Sequence, residues 1–341
     1  MTRGAPGAPG TADAGRGDGG VEPGDRPPLA VVIETAKESR VDEGHRLAGA
    51  LGVPVLGSRE LTRGEVEAER YLVVTKDALE LGPAQRGRSR PGRGELAYRA
   101  PGVRVDLGGL DPRVGPGGLS RKQPIAKAVG RESHRVLDGT GGLGQDARLL
   151  AAIGHEVLVT ERSPVLHALL ADGLRRAEED PATAQLLGGR LRLWPEPADV
   201  REVLDALAAQ GETAPDAAYL DPMFPPRRKA TALARKSVRM IRDVVGADED
   251  AAEVLADVRA RVRRVVVKRP PDAEPVAGDA VRTIETKMAR YDVYVDPTRP
   301  VPDRGGGRPD GHADGDGDDR GRRPDDARTT ARASGETMEG T

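Results

Sequence analysis

Apolar positions along this chain fall in short runs, separated by amphipathic stretches and flanked by two ends almost empty of them. Residues 1–27 are mostly Gly, Ala, Pro, Asp and Arg, and residues 299–341 repeat that composition. Neither end has enough apolar surface to offset the entropy of ordering, so both are expected to be disordered tails. Between them, Leu29–Ile33, Val53–Leu56 and Tyr71–Thr75 read as strands and Val41–Leu51 as an amphipathic helix, with one or two further strands across Glu95–Leu107. This predicts a small α/β domain over 28–116, closing in the Gly/Pro-rich stretch Gly108–Gly118. A second domain is expected over 117–298. Its strands are Arg135–Asp138, Glu156–Thr160, Arg190–Trp194, Ala217–Leu220 and Arg264–Lys268. Helices fill the gaps at Gly144–Ile153, Pro164–Ala177, Asp199–Ala209, 229–245 and 248–260, and Thr283–Thr286 with Tyr291–Val295 suggests a closing hairpin. Such alternation predicts a mostly parallel sheet with helices on both faces, and ligands at the carboxyl ends of its strands.

Composition narrows the classes. Hydrophobic residues make up 37% and aromatics 2%, so the core must be Leu, Val and Ala. There is no cysteine, which removes disulfides and thiolate metal sites. The histidines (His45, His134, His155, His167 and His312) lack metal-ligand spacing, so no metal is expected. No apolar run approaches the ~20 residues of a membrane span, and the start has no signal-peptide core. A cytoplasmic location, away from membranes, is the expectation. The net charge of −2 gives no global pull toward nucleic acid, so local charge must carry any such argument.

Three segments carry chemistry. Asp138-Gly139-Thr140-Gly141-Gly142-Leu143-Gly144 joins a strand to a helix. Glycines there let the backbone turn tightly and approach a ligand, and the helix N–H groups can face an anion. Asp138, Gly139 and Gly141 are cofactor-binding candidates. Glu161 follows at the end of the next strand, where an acid can bind the two ribose hydroxyls of a nucleoside. This pair suits a dinucleotide or S-adenosylmethionine. Asp221-Pro222-Met223-Phe224-Pro225 discriminates between them: it follows the fourth strand and contains the only phenylalanine. Asp221 and the Pro222 carbonyl can accept two N–H bonds of a planar amine, and Phe224 can stack on its ring. An S-adenosylmethionine-dependent amino-methyltransferase follows. Trp194 ends the third strand and could stack on the cofactor's adenine or fill core.

With these residues in view, the chain resembles the small-subunit ribosomal RNA guanine-N2 methyltransferases of the methyltransferase J family. The similarity spans roughly 117–295 and rests on Gln123–Gly130, Val136–Asp146, Thr160–Pro164, Tyr219–Pro225 and Arg264–Pro270. It implies a Rossmann-like class I fold and methyl transfer to N2 of one guanine of 16S rRNA, guanine 1516 in the family. Carried over by position, its cofactor contacts fall on Gln145, Asp146, Glu161, Arg162, Pro197, Ala198 and Asp221. Gln145 stands where the family usually has Arg. Pro197-Ala198 replaces a small polar pair, so backbone atoms there, or Asp199, must serve the adenine.

Charge beside the turn suits an RNA strand. Arg227-Arg228-Lys229 follow it at once, with Arg235, Arg239 and Arg242 at helical spacing, and Lys127 and Lys268 could add contacts. The expected partner is 16S rRNA or the small ribosomal subunit. Rival readings are an adenine-N6 or protein-amide methyltransferase, a nicotinamide enzyme, and a non-catalytic RNA-binding factor.

Overall fold

A computed structural model of the chain describes residues 29–57, 70–83, 102–110, 119–223, 240–246 and 248–300. All of these belong to one compact unit, Met1–Pro302. The second unit, Asp303–Thr341, and both expected tails lie outside the described residues, save 299–300.

A four-stranded sheet comes first. Strand β1 (Leu29–Glu34) pairs in parallel with β2 (Val55–Gly57) and β3 (Arg70–Thr75), and β3 pairs antiparallel with β4 (Leu79–Pro83). Helix α1 (Glu38–Leu51) connects β1 to β2 and stops at Gly52, whose φ of 64° supplies the left-handed cap. The pattern Leu-Glu-Leu-Gly-Pro hid β4, because Gly and Pro read as a turn; an edge strand tolerates both. Across the described part of Glu95–Leu107 the only pairing is a single bridge, Val103 to Leu81.

The larger sheet has seven strands in the order β7-β6-β5-β8-β9-β11-β10. These are β5 (Arg135–Asp138), β6 (Glu156–Val159), β7 (Leu191–Leu193), β8 (Ala217–Leu220), β9 (Arg264–Arg269), β10 (Arg282–Glu285) and β11 (Arg290–Val295). β11 runs opposite to the other six strands, antiparallel to both β9 and β10, as the expected hairpin requires. From β5 the chain winds outward to β6 and β7, then returns to build β8 and β9 on the other side. The topological switch therefore lies between β5 and β8, whose carboxyl ends carry Asp138 and Asp221.

Successive side chains on each strand point to opposite faces, and both faces are buried. Val136, Tyr219, Val266 and Val293 enter one core with Leu150, Leu166 and Leu169 from helices α3 (Gln145–Ala152) and α4 (Pro164–Glu179). Leu137, Leu220, Val267 and Tyr294 enter the other with Val203, Leu204, Leu255 and Val258 from α6 (Val200–Ala209) and α7 (Ala251–Arg259). Two short helices were not legible in the pattern: α2 (Pro124–Val129) and α5 (Pro181–Leu187), each about two turns or less and opened by proline. The first core also includes Leu72, Val74 and Leu79 of the small sheet.

Candidate active site

The glycine loop is woven across the strand ends. Gly139 donates its N–H to the Tyr219 carbonyl and Gly141 to that of Thr160, both at 2.9 Å. Gly139, Gly141 and Gly144 have no room for a side chain, and a Cβ on Gly139 would sit 2.7 Å from Val200 Cγ2. A Cβ on Gly141 would sit 2.6 Å from Val159 Cγ1, and Gly144, which opens α3 at φ 70°, would meet Leu170 Cδ1 at 2.7 Å. The loop is thus held against the sheet by close packing as well as by hydrogen bonds.

Glu161 follows β6, buried, with one carboxylate oxygen accepting the Gly142 N–H and the other the Ser163 N–H, each at 2.8 Å. Burial pushes its carboxyl up, against those two hydrogen bonds. Each oxygen keeps a second lone pair, so two further donors can be accommodated. Asp138 is only 2% exposed and accepts the Thr140 N–H at 3.1 Å. Burial, with the nearby Asp146, Asp221 and Glu161 carboxylates, pushes it up to about 8 despite that hydrogen bond. It is therefore mostly neutral at pH 7.

Thr140 ties the loop to the second motif: its Oγ1 accepts the Asp221 N–H at 2.6 Å. Asp221 and Pro222 follow β8 and border a solvent-open cleft that Gly139, Glu161 and Arg162 also line. Leu166, Val200 and Val254 supply an apolar flank. This combination of apolar wall and a few convergent polar groups is the usual make-up of a small-molecule site.

The cleft's outer edge is an ion network. Arg162 Nη1 donates to both oxygens of Asp250, at 3.0 and 2.9 Å, and Nη2 donates to Asp248. Asp248 in turn accepts the Met223 N–H and donates its own N–H to the Met223 carbonyl at 3.1 Å. Arg201 joins Asp199 to Asp250.

Gly139, Glu161, Arg162, Asp221 and Pro222 all border this one cleft. Gly141 is buried on the loop's inner side against Val159 and Leu170, and Gln145 points away, donating to the carbonyls of Asp106 (3.1 Å) and Leu143 (3.4 Å). Pro197 is exposed, while Ala198 spends its N–H on the Glu161 carbonyl and its carbonyl on the Thr160 hydroxyl. Asp199 instead borders the cleft. Trp194 packs on the second core. Lys127 is exposed on α2. Lys268 is inside the site, its ammonium between Asp146 (2.6 Å) and Asp221 (2.9 Å). Phe224, Arg227, Arg228, Lys229, Arg235 and Arg239 lie outside the described residues. Sequence reasoning missed Thr140, whose signal was its place in the glycine loop, and Asp248 and Asp250, which gave none beyond starting a helix. Among the described residues no cluster of acids and histidines could hold a metal, and no helix is long and apolar enough to cross a membrane.

A parallel sheet that reverses its winding at a glycine loop, a buried acid one strand over and an Asp-Pro turn across the switch define a Rossmann-like class I methyltransferase. Residues 64–296 match the family of putative SAM-dependent methyltransferases, and the cofactor is S-adenosylmethionine. The chain belongs to the ribosomal RNA small subunit methyltransferase J family. The protein of that name from Yersinia enterocolitica is 44% identical over 231 residues, 66% of this chain and 84% of its own. That from Thioalkalivibrio sulfidiphilus is 38% identical over 277 residues, 78% of this chain and 97% of its own. A crystal structure of a SAM-dependent methyltransferase from Neisseria gonorrhoeae superposes with a TM-score of 0.53 at 27% identity, covering 80% of this chain and 98% of that one.

Proposed function

We propose that this protein methylates the exocyclic N2 of one guanine in 16S rRNA, by family guanine 1516, and acts in the cytoplasm. The observation that carries the reading is Asp221. Its backbone is pinned to Thr140 of the cofactor loop, and its carboxylate, 40% exposed, opens into the cleft beside Glu161. An amine presented there lies between a fixed acceptor and the cofactor loop. The curated relatives' names supply the substrate class.

Glu161 would hold the ribose hydroxyls through its remaining lone pairs, and Asp199 would take the adenine amino group in place of the unavailable Ala198 backbone. Bound there, S-adenosylmethionine supplies an electrophilic methyl on a sulfonium. Asp221 and the Pro222 carbonyl accept the two N–H bonds of the guanine amine and so aim its lone pair. Aimed in this way, the lone pair would form the new C–N bond with the methyl that S-adenosylmethionine would supply, the C–S electron pair staying on sulfur. The surplus proton of the amine passes to the Asp221 carboxylate and on to water. Phe224 stacks on the base, and the Arg227-Arg228-Lys229 run takes phosphates.

The test is incubation with methyl-labelled S-adenosylmethionine and unmodified 16S rRNA or small subunits, followed by digestion to nucleosides. Labelled N2-methylguanosine is expected. Label in another nucleoside, or none in either RNA form with cofactor binding intact, overturns the reading.

A further inference from the structure

Lys268 is the cation that sequence reasoning assigned to the RNA strand, and its surroundings argue otherwise. Residues 219 and 221, 266 and 268, and 291 and 293 are each two apart on neighbouring strands, so Tyr219, Asp221, Lys268 and Tyr291 share one face of the sheet. Asp146 comes down on them from the first turn of α3. Its Oδ2 accepts both the Tyr219 hydroxyl at 2.7 Å and the Lys268 ammonium at 2.6 Å. The same ammonium donates to Asp221 Oδ2 at 2.9 Å. Among the described residues Asp221 Oδ1 takes no hydrogen bond. With its N–H on Thr140 and Oδ2 on Lys268, Asp221 keeps Oδ1 as the oxygen with both lone pairs open among the described residues.

We propose that Lys268 is a positioning residue for methyl transfer: it fixes Asp221 through Oδ2 so that Oδ1 faces the amine, and it keeps the carboxylate ionised. The proposal rests on Asp221 being the amine's acceptor. A lysine held by two carboxylates is poorly placed to serve a phosphate, since the RNA would have to outcompete both. Burial alone would lower the Lys268 ammonium, but Asp221 and Asp146 outweigh it and hold it well above the ordinary lysine range. The groups facing Asp221 are Lys268 from β9, Asp146 from α3, Tyr219 from β8, Tyr291 from β11, Asp138 from β5 and Asp248 ahead of α7. Glu161 and Arg162 border the same cleft, and among the described residues Lys268 is the cation hydrogen-bonded to Asp221. Its removal takes away the cation bonded to Asp221, so the acid must bind its proton more tightly.

The test compares Lys268→Met, Lys268→Arg and Asp146→Asn in single-turnover methylation across pH, with binding measured separately. Lys268→Met should slow transfer by about a hundredfold, the low end of what positioned proton acceptors contribute. The RNA KM and cofactor Kd should stay within about threefold, and the acid limb of the rate profile should move up by about one pH unit. Carbon-13 NMR titration of the Asp221 carboxyl, without cofactor, should show the same rise. Lys268→Arg should recover most of the rate, and Asp146→Asn should move the acid limb down, leaving the ammonium to Asp221 alone. A raised RNA KM and a salt slope lower by about one, at unchanged transfer rate, would assign Lys268 to phosphate and overturn the proposal. If Lys268→Met does not fold, an unmoved acid limb in Asp146→Asn overturns it equally. Asp221→Asn is the control for the underlying reading: full activity there would remove Asp221 as acceptor, whatever the lysine variants do.

Discussion

Asp138 should make this protein less stable as pH rises through neutrality, which is the opposite of most carboxylates. Its carboxyl is buried at the end of β5 and pushed from 3.8 to about 8. The folded chain therefore holds a proton that the unfolded chain has already released above about pH 4. Stability from this group is fully present below the unfolded value and lost as pH climbs toward the folded one. Each pH unit in that window costs about 1.4 kcal/mol, so the loss between pH 5 and 7 is roughly 2–3 kcal/mol. Asp138→Asn keeps an oxygen for the Thr140 N–H, bonded at 3.1 Å in the native chain, but cannot ionise. Urea denaturation of both proteins at pH 5, 6 and 7, without cofactor, isolates the effect as the difference between them. Wild type should lose ground to the variant steadily across the range. A flat difference, or one that favours wild type at higher pH, would mean Asp138 is ionised in the fold and the loop begins with a charge.

Three further outcomes follow from the geometry. Glu161→Gln can keep only one of the two backbone hydrogen bonds and loses the charge, so S-adenosylmethionine affinity by calorimetry should fall about tenfold to a hundredfold, matching ~1.5–3 kcal/mol for a charge-assisted bond. Gly141→Ala forces a methyl to within 2.6 Å of Val159 Cγ1 and 3.1 Å of the Thr160 carbonyl, and should cost about 1–3 kcal/mol in urea denaturation. Asp172, whose fully buried carboxylate accepts from the Leu79 N–H and from Arg40, Arg175 and Arg176, joins α4 to the small sheet. Asp172→Ala leaves those guanidinium groups facing one another and should cost about 3–5 kcal/mol in the same assay; a loss under ~1 kcal/mol would show that the cluster contributes little.

The core strands were legible because their signal is short-ranged. Val136-Leu137, Ala217–Leu220 and Val265–Val267 are apolar throughout, as strands buried on both faces must be. β4, α2 and α5 were not, since five to seven residues carry too little periodicity to outweigh a Gly, a Pro or a polar neighbour. The site divided in the same way. The glycine loop, Glu161 and Asp221-Pro222 were recognisable from residue type and place at strand ends. The neighbours that hold them were not.

By its sequence alone this chain determined an alternating α/β fold, a glycine loop after its first long-sheet strand and an Asp-Pro turn after its fourth, because backbone freedom at glycine and alternation along a strand are properties of near neighbours. Tertiary structure decided which charges meet. Lys268 reaches Asp146 across 122 positions and Asp221 across 47, and Arg162 reaches Asp250 across 88. Those pairings depend on strand order and on which face each residue presents, and only the folded sheet sets both.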